Sequence, residues 1–155
     1  MRTADHWVAV ALGSNVGNRR VHLEYAIVRL RAILRAARVS TLIETAPVGV
    51  GPQRPYLNGA VVGTSSAAPR DFLESLRAIE HDRGRERPFP GAPRTLDLDL
   101  IFFGSAVVSE PDLCLPHPRF RDRLFVLQPL AEIAPALVDP VTGLTVRELL
   151  DRLVS

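Results

Sequence analysis

The sequence predicts an α+β domain, a ferredoxin-like split βαβ sandwich, and three observations predict it. Segments alternate along the chain in the order strand, helix, two strands, helix, strand. Most of the links between them are short, as a split βαβ unit with an antiparallel sheet and helices on one face requires. The chain has 155 residues, 46% hydrophobic and 23% charged, which is one ordinary domain with a real core and too little chain for two. Residues 1–155 are therefore read as a single domain, with extra C-terminal helices and a second sheet face free to carry a site.

Each element has its own warrant. Residues 7–12 (Trp7-Val8-Ala9-Val10-Ala11-Leu12) are continuously apolar and read as a central strand buried on both faces. Gly13-Ser14-Asn15 and Gly17-Asn18 form the turn. A helix is predicted over 19–37, because Leu23, Ala26, Ile27, Leu30, Ile33 and Leu34 recur at helical spacing. Its arginines (Arg19, Arg20, Arg29, Arg31, Arg35 and Arg38) mark the solvated side. β-Branched residues at Val39, Thr41, Ile43 and Thr45 predict a second strand over 39–45. Residues 46–55 hold Pro47, Gly49, Gly51, Pro52 and Pro55 and read as a lid or binding loop. A third strand covers 56–64. Pro69 opens the next helix, Phe72, Leu73, Leu76 and Ile79 bury its inner side, and Gly84 ends it. A second, cationic loop spans 85–94 with Arg85, Arg87 and Arg94. After the strand over 95–103 come a hairpin piece near Val108, a rigid Pro116-His117-Pro118 turn, and a helix from about Arg119 interrupted at Pro129. Thr145-Val146-Arg147-Glu148 is a capping box opening the final helix.

The strand over 95–103 carries the chemistry. Side chains two apart on a strand share a face, so Leu96, Leu98 and Leu100 point into a core and Asp97 and Asp99 point the other way, side by side. Two carboxylates about 7 Å apart at their Cα atoms on an apolar strand are costly unless a cation compensates. Mg²⁺ answers this well, since it takes a few carboxylates together with waters and substrate phosphates. Arg94, just before the strand, adds a fork for a phosphate.

Composition excludes other chemistries. All 19 cations are Arg, so there is no lysine chemistry, and a net charge of +2 implies no strong field for a polyanion. A single cysteine excludes an internal disulfide and a Cys-based zinc site, and Cys114 is expected to be a buried small hydrophobe. No apolar run reaches transmembrane length, and residues 7–12 are too short for a signal peptide, so a cytoplasmic setting without a membrane partner is expected.

Taken together, Leu12-Gly13-Ser14-Asn15, Glu44-Thr45 with Pro47 and Gly49, Tyr56-Leu57-Asn58, Ile79-Glu80 with Gly84-Arg85-Glu86-Arg87, residues 93–104, Leu115-Pro116-His117-Pro118-Arg119, and Arg123-Leu124-Phe125 with Pro129-Leu130-Ala131-Glu132-Ile133-Ala134-Pro135 are specific in order and spacing. With these motifs the chain resembles the 6-hydroxymethyl-7,8-dihydropterin pyrophosphokinases of folate biosynthesis along nearly its whole length. The resemblance implies a Mg-dependent diphosphotransferase that moves pyrophosphate from ATP to the hydroxymethyl group of the reduced pterin, giving the pterin diphosphate and AMP. It implies that Asp97 and Asp99 hold two Mg²⁺ ions, and that Arg85 and Arg94 act catalytically on the phosphates. Glu80, Arg85, Arg87, Arg94, Leu100 and His117 are implied ATP contacts. Thr45, Val48, Tyr56, Asn58, Arg123 and Phe125 are implied pterin contacts, with Tyr56 and Phe125 as the stacking pair. The implied partners are ATP and the pterin, with no nucleic acid; a monomer is expected, with association with other folate-pathway enzymes left open. Arg77, Asp112, Cys114 and Pro118 depart from residues found in some relatives near adenosine.

Two other readings compete. A ferredoxin-like module binding RNA or a small ligand would place clustered aromatics on its central strands, and only Trp7 stands on the first one. Another two-metal nucleotidyl- or phosphotransferase would share the Asp-x-Asp strand, and only product identity separates it.

Overall fold

The computed structural model describes residues 5–45, 55–84 and 95–155. A mixed layer of strands and helices follows the expected order: β1 (His6–Ser14), α1 (Arg19–Ile33), β2 (Arg35–Val39), β3 (Ile43–Thr45), β4 (Tyr56–Ser65), α2 (Pro69–Arg83) and β5 (Asp97–Phe103). A hairpin, β6 (Val108–Glu110) with β7 (Leu113–Leu115), precedes a 3₁₀ turn at Phe120–Asp122, α3 (Leu124–Ile133) and α4 (Val146–Val154). The main sheet runs β2-β4-β1-β5, with β3 also on β4, and every pairing is antiparallel. β1, apolar along both faces, is central as its composition requires.

The sheet buries both faces. On one, Val8, Val10, Leu12, Leu96, Leu98 and Leu100 meet Leu23, Leu30, Phe72, Leu76 and Ile79 of α1 and α2. On the other, Ala9, Ala11, Ala60, Val62, Ile101 and Phe102 meet Val126, Leu127 and Leu130 of α3 and Val146 and Leu149 of α4. The extra C-terminal helices thus cover part of the face expected to be free. A β-bulge allows both cores to draw on β5. Ala9 pairs with Phe102 and Val10 with Leu100, so Ile101 is the extra residue. The bulge turns Ile101 and Phe102 both into the second core, while Leu100 and Phe103 on either side of them face the first.

Several expectations about single elements need correction. Helix α1 stops at Ile33, four residues early, because Arg35, Arg38 and Val39 pair with Thr64, Val62 and Val61 of β4. The chain turns there through Ala36 at φ 52°. The expected single strand over 39–45 is split after Val39: Ser40 still donates its N–H to the Ala60 carbonyl at 2.9 Å, but its Oγ, in place of its carbonyl, accepts the Ala60 N–H at 2.8 Å. Gly84 does cap α2, through its N–H on the Glu80 carbonyl, but at φ −118°, which any residue adopts. Pro129 lies inside α3 instead of interrupting it. It has no N–H to give to the Phe125 carbonyl, and its burial within α3 offsets the lost bond. Cys114 is exposed, because strand alternation turns Leu113 and Leu115 inward and the cysteine out.

The capping box forms as read, with the Glu148 N–H on Thr145 Oγ1 and the Thr145 N–H on Glu148 Oε1, both at 3.1 Å. Several arginines of the α1 region are engaged within the molecule: Arg19 with Glu44 at 2.7 Å, Arg29 with Asp82 at 3.0 Å, and Arg31 on the Ala37 carbonyl. Among the described residues no helix is long and apolar enough to cross a membrane.

Candidate active site

Three adjacent strands bring the chemistry together at one end of the second sheet face. Directly paired residues share a face. Thr45 pairs with Tyr56, Asn58 with Gly13, Gly13 with Asp97, and Ala11 with Asp99. Tyr56, Asn58, Gly13, Asp97 and Asp99 therefore stand on one side of the sheet, continuous with Ala11 and Ala60 under α3. Asn58 is 5% exposed, so its amide needs partners within the fold. Its Nδ2 donates to Thr45 Oγ1, which ties two of the implied pterin contacts to each other.

Asp97 and Asp99 are half-buried and on the same face, as alternation requires. Among the described residues no group of three or more His, Cys, Asp or Glu side chains could hold a metal. An all-protein cage is thus absent there, while two oxygen ligands on one strand are the donor set that suits Mg²⁺ with substrate phosphates and water completing its shell. The residues present fit the ion. Leu98, between the two aspartates, gives its backbone N–H to Glu80 Oε2 at 2.8 Å. Helix α2 thereby clamps the edge strand at the point where the carboxylates project. Glu80, an implied ATP contact, thus has a structural partner in the β5 backbone.

The opposite wall comes from the 3₁₀ turn and α3, which packs directly on β4. Phe125 is half-buried in the first turn of α3, and the Arg123 guanidinium lies 5.5 Å from its ring centroid. His117 is held by its own N–H on the Ile101 carbonyl at 3.0 Å, and its Nδ1 accepts the Arg119 N–H at 3.2 Å. Burial holds the His117 imidazole below its ordinary pKa; Asp99 pulls it up, and Arg123 and Arg119 push it down. The neutral imidazole is thus favoured, and His117 stands within the electrostatic reach of Asp99.

The structure brings together Thr45, Tyr56, Asn58, Asp97 and Asp99, with Arg123, Phe125 and His117 on the flanking elements. Leu100 is placed otherwise: its side chain is buried with α1 and α2, on the face away from Asp99, and offers nothing to a ligand there. Val48, Arg85, Arg87 and Arg94 lie outside the described residues, as do both loops expected to close over the site, apart from Pro55. A cavity of about 730 Å³ is lined by Gly17, Asn18, Arg19, Arg20, Leu42, Glu44 and Leu57. None of the implied site residues that are described lines it, because Glu44 and Leu57 alternate to the face opposite Thr45 and Tyr56.

Two supporting contacts went unread in the sequence. The Glu132 carboxylate takes the Thr41 N–H at 2.9 Å and the Thr41 hydroxyl at 2.6 Å, tying α3 to the link before β3. Its only signal was its place in the Pro129–Pro135 motif. Asp139, fully buried, takes Arg121 Nε at 2.6 Å, the Val141 N–H and the Thr142 hydroxyl, and anchors the turn before Arg123. No local pattern marks it.

A model of the family 7,8-dihydro-6-hydroxymethylpterin-pyrophosphokinase matches residues 9–135. The chain belongs to this family. It is 43% identical over 136 residues to the 2-amino-4-hydroxy-6-hydroxymethyldihydropteridine pyrophosphokinase of Bacillus subtilis, covering 86% of this chain and 81% of that one. The same-named protein of Synechocystis is 41% identical over 149 residues, covering 95% of this chain and 76% of that one. A mitochondrial folate synthesis bifunctional protein of Arabidopsis thaliana is 40% identical over 140 residues, or 90% of this chain, which spans only 25% of that longer protein. The crystal structure of wild-type Plasmodium falciparum HPPK-DHPS superposes with a TM-score of 0.79 at 16% identity, covering 99% of this chain and 45% of that one. This last likeness speaks for the α+β fold alone. Family membership makes the chain a pterin pyrophosphokinase homologue, an enzyme of folate biosynthesis by kind, as the motifs implied.

Proposed function

We propose that the protein transfers pyrophosphate from ATP to 6-hydroxymethyl-7,8-dihydropterin. The observation that carries this is the row across β4, β1 and β5, which sets Asn58 and Asp97 on either side of Gly13. A reader of a heterocycle's edge and a pair of cation-holding carboxylates then face one gap. The Asn58 amide offers a donor and an acceptor to the pterin edge, with Thr45 beside it, and Val48 is assigned a pterin contact by the family resemblance. Tyr56 and Phe125 supply aromatic faces for the flat ring. Asp97 and Asp99 would hold Mg²⁺, which when bound neutralises the triphosphate and polarises its phosphorus. Arg85, Arg87 and Arg94 bind the phosphates, Arg85 and Arg94 acting at the reacting group, with His117 and Glu80 toward the nucleotide. The pterin hydroxymethyl oxygen forms the new bond to the β-phosphorus. The bond from that phosphorus to the α,β-bridging oxygen breaks, AMP leaves, and the hydroxyl proton passes to water or phosphate.

The experiment is product analysis. Protein, Mg²⁺, ATP and the hydroxymethyl dihydropterin are mixed, and AMP and the pterin diphosphate are expected in equal amounts. ADP alone, or no nucleotide product, sinks the assignment. Omission of Mg²⁺ should abolish turnover. This reading takes the protein as a monomer and as cytoplasmic. The bifunctional folate-synthesis relative supports association with neighbouring enzymes of that synthesis.

A further inference from the structure

One position on the site face has no side chain. Gly13 pairs with Asn58 on one side and Asp97 on the other. A side chain there would rise on the same face as both, between the amide and the carboxylate. Neighbouring strands lie about 4.8 Å apart, so roughly 10 Å separates the backbones of Asn58 and Asp97, and Gly13 is the floor of that gap. A Cβ at Gly13 would sit 2.9 Å from Asn58 Oδ1 and 3.6 Å from Tyr56 Cδ1. The first distance is too short for an ordinary contact, so Asn58 would have to move. Asn58 is not loose: it is buried and its Nδ2 is committed to Thr45 Oγ1.

Conformation does not explain this glycine. Gly17 and Gly104 have φ of 62° and 57°, where a side chain is strained. Gly13 is strand backbone paired on both sides, outside that region, and any residue could adopt its angles. Only the space above it explains the residue.

We propose that Gly13 is a specificity-determining position for the heterocyclic substrate. Its missing side chain sets the Asn58 amide at the angle at which it reads the ring edge. The ligand class is a flat, edge-polar heterocycle whose reactive substituent points across β1 toward β5. This inference rests on the pterin reading of Asn58.

The test is a coupled pair of substitutions, read by titration with 6-hydroxymethylpterin and, separately, with ATP and Mg²⁺. Gly13→Ala should weaken pterin binding by about tenfold or more, a loss of about 1.4 kcal/mol per decade. Its ATP affinity should stay within about twofold, which general damage to the fold would not spare. In an Asn58→Ala background, which lacks the oxygen that meets the new methyl, adding Gly13→Ala should change pterin binding by less than about twofold. Unchanged pterin binding in Gly13→Ala, or the same loss in both backgrounds, overturns the proposal. If Gly13→Ala does not fold, the double variant decides: folding and binding like Asn58→Ala upholds the contact, and failure to fold overturns it. A wild-type protein that does not bind the pterin sinks the functional reading; a wild-type that binds beside an indifferent Gly13→Ala sinks only this inference.

Discussion

The two halves of the second sheet face are built on the same three strands and differ in what they meet. In one half Ala9, Ala11, Ala60, Val62, Ile101 and Phe102 lie under α3 and α4. In the other, Tyr56, Asn58, Gly13, Asp97 and Asp99 continue the same rows. Small residues on the central strands of the first half let the helices approach closely. In the second half a packed helix would strip water from two carboxylates and an amide without replacing it, which is costly. The apolar helices cover the residues that have no need of water, and the polar rows continue beyond them with Asn58 buried and Tyr56, Asp97 and Asp99 half-buried.

The sharpest way to break this comparison is to remove the carboxylates. Asp97→Ala or Asp99→Ala should lower turnover on the order of 10³-fold, as for loss of a group that stabilises transferred charge. Thermal stability should hold or rise, since like charges are relieved. Near-normal AMP release from either variant would refute the role of the polar half. In the apolar half the signs reverse. Leu127→Ala, in the fully buried part of α3, should cost about 2–5 kcal/mol in urea unfolding. The folded fraction should keep its pterin KM; a KM shift matching the stability loss would mean the halves are not separable.

Asp139 tests the anchoring of the flank. Burial alone would raise its carboxyl pKa, but Arg121, Thr142 and the Val141 N–H outweigh burial and hold it below the ordinary range. A carboxylate with a depressed folded pKa adds stability above its unfolded pKa and loses it as pH falls through the folded value. Asp139→Asn should therefore cost about 3 kcal/mol at pH 7. That deficit should shrink on acidification below about pH 4, the ordinary carboxylate range. A deficit independent of pH in denaturant titrations would contradict the charged pair. The smallest expected effect is at the pterin edge. Asn58→Ala should raise the pterin KM about tenfold, roughly one hydrogen bond to a neutral ring, and leave the ATP KM unchanged. Equal changes in both constants would place Asn58 outside the pterin contact.

Local pattern carried much of this. Alternation along a seven-residue strand was enough to set Asp97 and Asp99 opposite Leu98 and Leu100, and the Thr145–Glu148 box stood in four letters. Expectations failed where distant parts of the chain compete. Helical spacing continued past Ile33, but pairing with β4 won. Cys114 looked like core until its two leucine neighbours took the inward side. Pro129 read as a breaker, yet burial of its ring keeps it helical. Glu80 read as a nucleotide contact or a surface charge, and its bond to the Leu98 N–H appears only when α2 lies along β5.

The sequence by itself determined the alternation of strands and helices along the chain, the shared face of the two aspartates and the motifs that identify the family, because each is a matter of spacing within a short stretch. Tertiary structure alone decided that Asn58 lies across Gly13 from Asp97, that a bulge at Ile101 turns Phe102 into the second core as well, and that α3 and α4 cover the apolar part of that face. Those follow from register between strands far apart in the chain and from competition for buried surface, and neither is written in any one segment.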